Sequence, residues 1–262
     1  MTENMHRFFI PPEWIDEDRV SITGWLVHQL RDVLRLKAKD HILVLDNSGW
    51  EHEVELKRIA AERVGGKIIG KRLSRTEPRA RIALYQALLK GSKFEFVLQK
   101  CTELGVAAFV PTICDRCVVG NLATATSGKI MRWKRIVQEA AEQSGRGRLP
   151  LLHSPLLLRQ ACEQASGLSL MPWEQEKSIG LRAALKEQAF AGSSALAEGQ
   201  ISNLPVLNLF IGPEGGFSDS EVKSALAYGI RPVSLGNRIL RAETAAIAAV
   251  TAVLYEYGDL GD

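Results

Sequence analysis

The chain has 262 residues, 46% of them apolar or aromatic, enough for one large domain or two ordinary ones. No apolar run approaches the ~20 residues of a membrane helix, and Met1–Arg7 lacks the apolar stretch of a secretory signal, so a cytoplasmic protein is expected. The net charge of +3 is uneven: residues 77–148 carry 12 Lys and Arg against 6 Asp and Glu, residues 149–262 carry 8 against 12, and a basic middle suits either an anionic macromolecule or a solvated helix face.

Taken in order, residues 5–75 read as a small β-rich module. His6–Ile10 forms a first strand before a Pro-Pro turn. Trp25, Leu26, Leu30, Val33 and Leu34 fall at helical spacing. Ile42–Leu45 and the alternating stretch Trp50–Ile59 read as strands joined by the turn Asp46-Asn-Ser-Gly49. Gly65-Gly66 is expected to break the chain before Lys67–Gly70. The module is barrel-like in size. The polar, basic stretch Lys71–Arg79, with Pro78, marks a linker and sets domains at 1–75 and 76–262.

From Ala80 strands and helices alternate. Ile82–Leu88 is a strand, Phe94–Leu104 a helix stopped by Gly105, and Ala107–Pro111 a strand. Lys129–Ser144 is a long amphipathic helix with Ile130, Trp133, Ile136, Val137 and Ala140 on one face, and Leu168–Met171 is another strand. Such alternation implies an α/β fold, a mainly parallel sheet with helices on both faces. Ala191–Glu198 is a small-residue loop without evident chemistry. Cys114 and Cys117 make one C-x-x-C with no second pair and no histidine nearby, so buried thiols are expected rather than a metal.

The chemistry concentrates near the C-terminus. Two short apolar runs, Val206–Ile211 and Pro232–Leu235, each precede a glycine-bearing loop and then a helix. Ser218-Asp-Ser-Glu221 has the form of a capping box and starts the first helix; the alanine-rich Ala245–Tyr255 is the second. Ligands of parallel α/β sheets sit beyond the carboxyl ends of the strands, which places the site at these loops. Gly212-Pro-Glu-Gly-Gly216 could cradle a phosphate, but it lacks both the P-loop ending and the dinucleotide spacing. With Glu243, Glu214 suits a ligand carrying positive charge.

Gly212-Pro-Glu-Gly-Gly-Phe-Ser218 and Leu235-Gly-Asn-Arg-Ile-Leu-Arg-Ala-Glu-Thr-Ala245 resemble the two C-terminal signatures of the SPOUT methyltransferases, and more narrowly of the RsmE family, the 16S ribosomal RNA uracil-N3 methyltransferases. His28–Lys37, Lys90–Gly105 and Arg135–Arg146 resemble further signatures in the same order. The resemblance implies a PUA-like RNA-binding barrel followed by a trefoil-knotted parallel sheet, a homodimer, and 16S rRNA of the small subunit as substrate. It also implies S-adenosylmethionine held by Leu170, Met171, Glu174, Ile211, Gly212, Pro213, Glu214, Gly215, Gly216, Leu235, Gly236, Ile239, Leu240, Arg241, Thr244 and Ala245. Methylating N3 of uracil requires loss of its proton and stabilisation of the resulting charge. Arg241 is the candidate for the electrostatic role, and Glu243, Glu103 and Glu174 are candidates for the base. Arg7, Arg31, Arg35, Lys37, Lys93, Arg146 and Arg148 form the expected RNA patch. Phe8 and Phe9 are expected in a buried strand, Trp133 in a core or dimer interface, and His28 either on RNA or in local packing. A SPOUT enzyme acting on tRNA or another base, and a non-catalytic RNA-binding protein, are the alternatives.

Overall fold

A computed structural model describes residues 5–118, 127–192 and 206–260, so most of the small-residue loop at 191–198 lies outside the described residues. The chain divides into two compact units: residues 1–77 with 141–149, and residues 78–140 with 150–262. A single boundary near residue 76 therefore leaves out one segment of the first unit.

The first unit is built on a mixed sheet of β1 (Arg7–Phe9), β2 (Ile15–Asp16), β3 (Arg19–Thr23), β4 (His41–Leu45), β5 (Trp50–Ile59) and β6 (Arg63–Leu73). Their order is β1-β4-β5-β6-β3-β2, with β1 parallel to β4 and the other pairs antiparallel. Gly65-Gly66 does not interrupt β6. The strand passes through both glycines: a Cβ at position 66 would lie 2.3 Å from Val54 Cγ1, so close approach accounts for Gly66, while Gly65 has open space around it beside the register shift between Leu56 and Arg58. The helix expected over Trp25–Leu34 starts as α1 (Trp25–His28) and widens into a π-helical turn, Gln29–Val33. Leu26, Val27 and Leu30 are buried, whereas Trp25 at the start of α1 and Val33 at the end of the wider turn face solvent.

Segment 141–149 completes this unit. Ala141 and Leu149 pack with Phe9 and Leu45, and the Phe9 amide donates to Glu142 at 2.9 Å. Arg146 is buried, donating to Glu77 at 2.6 Å. The amides of Gly147 and Arg148 meet the same carboxylate.

The second unit carries a parallel sheet of β7 (Arg81–Ala87), β8 (Ala108–Ile113), β9 (Leu151–Leu152), β10 (Leu156–Leu157), β11 (Leu168–Pro172), β12 (Val206–Ile211) and β13 (Arg231–Val233). The order is β10-β8-β7-β12-β11-β13, with β9 beside β8. The helices are α2 (Lys93–Leu104), α3 (Ser127–Gln143, whose last residues belong to the first unit), α4 (Leu158–Gln164), α5 (Leu181–Gly192), α6 (Asp219–Ala227) and α7 (Ala242–Glu256). Both faces of the sheet are covered, as an all-parallel sheet demands. One face sets Ile82, Leu84, Phe109, Leu207 and Leu209 against α2, α3, α5 and α7, with Trp133 fully inside. Tyr85, Val110, Met171 and Phe210 alternate to the opposite face, against α4 and α6. Among the described residues no helix is long and apolar enough to cross a membrane, and no cluster of three potential metal ligands occurs.

Candidate functional site

Three loops leave the carboxyl ends of adjacent strands and close around one cleft of about 450 Å³. Pro172, Trp173 and Glu174 come from β11, Ile211 to Phe217 from β12, and Leu235 to Ala242, with Ala245, from the exit of β13; Lys93 of α2 completes the lining, and Asn237 is not part of it. The Trp173 amide donates to the Val233 carbonyl at 3.0 Å, which ties the first loop to the third.

The loop after β12 is shaped by its own chain. Gly216 adopts φ +68° and its amide bonds the Pro213 carbonyl at 3.0 Å. A Cβ at Gly216 would lie 2.5 Å from Glu174 Oε1, so that carboxylate rests on bare backbone. Phe217 is buried, and Ser218 and Glu221 form the expected capping box at the start of α6. The Glu221 amide is thus engaged by the Ser218 hydroxyl and the Ser218 amide by the Glu221 carboxylate, which leaves fewer free amides at this helix start to receive a phosphate. Glu214 accepts from the Lys90 amide at 3.1 Å and from Lys93 Nζ at 3.3 Å. Burial acts to raise its pKa, but hydrogen bonds from its own amide, the Lys90 amide and Lys93 hold it below the ordinary carboxylate value. Its charge is matched to a lysine, not presented bare.

Arg116 also reaches this loop, donating to the carbonyls of Gly215 at 2.9 Å and Phe217 at 3.4 Å. Beside it, burial and the neighbouring thiol decide the two cysteines' titration. The hydrogen bond from Cys114 pulls the Cys117 thiol down to about 7 while Cys114 is pushed up.

Of the residues expected at the cofactor, Glu174, Ile211 to Gly216, Leu235, Gly236, Ile239, Leu240, Arg241 and Ala245 come together in the cleft. Leu170 and Met171 are fully buried inside β11 and do not line it, and Thr244 is exposed on α7. Among the carboxylates, Glu174 lines the cleft. Glu103 lies on α2 outside the lining, bonded to Lys100 at 2.8 Å, and Glu243 sits in the first turn of α7, also outside it. Lys93 and Arg238 enter the lining as further cations, the second unforeseen. Arg146, expected on RNA, is instead a buried structural partner of Glu77. Arg7 is engaged by Glu51 at 2.6 Å. Arg31 pairs with Asp32, and Arg35, Lys37 and Arg148 are exposed, the last bonded to the turn at Ser48. His28 is exposed and paired with Asp32.

The RNA methyltransferase domain family model matches residues 75–254. The chain is 38% identical over 256 residues to the ribosomal RNA small subunit methyltransferase E of Synechocystis sp., covering 95% of this chain and 78% of that one. It is 31% identical over 258 residues to the Bacillus subtilis protein of the same name, covering 96% and 97%. Its structure is similar to that of a ribosomal RNA small subunit methyltransferase E from Neisseria gonorrhoeae bound to S-adenosyl methionine, with a TM-score of 0.82, 28% identity and coverage of 98% and 100%.

Proposed function

We propose a function from the premise that this chain belongs to the ribosomal RNA small subunit methyltransferase E family: it transfers a methyl group from S-adenosylmethionine to N3 of a uridine in 16S ribosomal RNA of the small subunit. The observation that carries this is the convergence of three strand-end loops, two of them glycine-bearing, on one cleft. Its volume falls in the usual small-molecule range. Leu235, Ile239, Leu240 and Ala245 give the lining apolar surface and Glu174 gives it a carboxylate, which suits a ligand that is part aromatic and part cationic. When bound, S-adenosylmethionine supplies an electrophilic methyl on a sulfonium.

The chain's own contribution is alignment and charge. Pro172–Glu174, Ile211–Gly216 and Leu235–Ala245 hold the donor, so that donor and acceptor meet in line. Arg241, at the N-cap of α7, faces the cleft and stabilises negative charge on the uracil carbonyl oxygens. Of the three candidate bases Glu174 is the one that lines the cleft, which supports it as the acceptor of the N3 proton. N3 lies on the pairing edge of the base, so the uridine is unpaired or extruded before it reacts.

We read the second unit as a trefoil knot, one of the rare exceptions to unknotted chains. The support is that β12 is inserted between β7 and β11, and that the last helix, α7, packs back on α2, α5, β7 and β12. The mixed sheet of the first unit, wrapped on Leu30, Ile42, Val54 and Leu56, supports a PUA-like RNA-binding barrel with Arg31, Arg35, Lys37 and Arg148 as phosphate contacts. A homodimer is supported by the shallow groove lined by Leu181, Leu185, Ala248, Ala252 and the exposed Tyr255. The enzyme acts in the cytoplasm.

The test is methyl transfer from labelled S-adenosylmethionine to unmethylated small subunits, to naked 16S transcript and to tRNA. Label at a uridine N3 of the subunit is the expected result. Label on tRNA alone, or none despite cofactor binding, overturns the substrate assignment.

A further inference from the structure

The C-x-x-C turn that follows β8 contacts the cofactor loop more extensively than any feature of its sequence suggests. We propose that Arg116 is a positioning residue, a clamp that holds the Gly215–Phe217 backbone in its ligand-ready form. The inference rests on the functional reading above.

The contacts come from two successive residues. Arg116 Nη1 donates to the Gly215 carbonyl at 2.9 Å and to the Phe217 carbonyl at 3.4 Å. Asp115 accepts from the Ser218 hydroxyl at 3.0 Å, and its amide donates to Glu221 at 2.8 Å. A Cβ at Gly215 would lie 3.1 Å from Arg116 Cβ, so the loop lies against the stem of the arginine as well as under its head. Position 215 has no room for a larger residue without moving the clamp.

The turn itself is anchored. The Cys117 amide bonds the Cys114 carbonyl at 3.1 Å, and the Cys114 amide donates to Cys117 Sγ at 3.3 Å. Cys114 is buried and directly continues β8. In the sheet β7 lies between β8 and β12, so the arginine reaches across a whole strand to fasten the loop of the next one.

The peptide groups it fastens are bonded at both ends. The Gly215–Gly216 unit gives its carbonyl to Arg116 and its amide to Pro213; the Phe217–Ser218 unit gives its carbonyl to Arg116 and its amide to Glu221. With the rear of the loop fixed, Gly212–Glu214 is presented to the cleft in one form. Adjacent glycines lose more backbone freedom on ordering than other residues, and an outside anchor that orders them beforehand spares the ligand that cost. Both bonds leave a single nitrogen, Nη1, which the rigid planar guanidinium holds in place; a lysine ammonium has donors enough for both carbonyls but rides on a flexible stem that does not pre-set it against them.

The experiment compares wild type, Arg116→Ala and Arg116→Lys by calorimetric titration with S-adenosylmethionine, thermal melting of the ligand-free protein, amide hydrogen exchange over residues 212–221, and steady-state kinetics on small subunits. Arg116→Ala is expected to weaken cofactor binding about tenfold, to speed exchange at Gly215–Ser218, and to raise KM for the cofactor more than it lowers kcat. Arg116→Lys should recover part of the affinity. Wild-type affinity in Arg116→Ala overturns the clamp. So does a lowered melting temperature with unchanged affinity, the mark of a purely structural contact. If Arg116→Ala does not fold, Arg116→Met, which keeps the apolar stem and loses the donors, takes its place, and wild-type affinity and exchange there overturn the clamp equally. If wild type itself binds no S-adenosylmethionine, the functional reading fails instead, while faster loop exchange in Arg116→Ala still reports the clamp.

Discussion

The two glycine loops at the end of the chain look alike in sequence and are built in opposite ways. The loop after β12 is fastened on every side: Lys90 and Lys93 hold Glu214, Arg116 holds two carbonyls, Phe217 is buried beneath, and a capping box closes it. The loop after β13 stands open. Gly236 to Ile239 are exposed, Ile239 at 88%, and Gly236 is tethered to Ser234 through its amide at 3.1 Å. The first loop is a finished surface. The second leaves its side chains to solvent.

That contrast has measurable edges. The largest effect belongs to the fastened loop: Phe217→Ala removes a buried aromatic and should cost about 3–5 kcal/mol of stability, read from the denaturant midpoint. In the open loop, Arg241→Ala should leave the melting temperature nearly unchanged yet lower kcat about a hundredfold; near-normal turnover would show the electrostatic assignment to be wrong. Acid should affect the fastened loop first. The folded Glu214 carboxyl titrates below its ordinary value, so its stabilising contribution is complete at neutral pH and is lost as pH falls through the folded pKa. Glu214→Gln should therefore flatten the acid limb of a stability–pH profile, and an unchanged limb would mean that the Lys93 pair contributes nothing. Smallest of all, Ile239→Ser should shift stability by no more than about 0.5 kcal/mol, and a larger loss would show that the open loop is packed after all.

The parts that could be read from the sequence were those whose cause is local. Ser218-Asp-Ser-Glu221 contains its whole capping interaction within four residues, and β5 and β12 begin and end at the residues their patterning indicates. The β3 strand, α4 and α5 went unread. The first two are short, and the last lies beside a small-residue stretch, so each depends on the core it joins and not on a strong local signal. Gly65-Gly66 carried a true signal with two meanings, since glycine serves both chain breaks and close strand contacts. At the site, the residues contributed by the loops were visible as motifs. Arg116 was not, because its partner Gly215 is 99 residues away, and nothing in Asp-Arg-Cys says which carbonyl an arginine will find. Arg146 failed for the converse reason: it sits among basic residues and looks solvent-facing until the fold brings Glu77 to it.

Segment 141–149 means that the polypeptide passes between the two units at three places, 77/78, 140/141 and 149/150, where a tandem arrangement would need a single junction. The N-terminal module is therefore not a cassette. A gene fragment ending at residue 77 would encode it without the Ala141 and Leu149 side chains that cover Phe9 and Leu45, and without the arginine that neutralises Glu77. Recombination that swaps such a module whole would have to import a piece from the middle of the other unit's sequence as well. The two units are constrained to be inherited together.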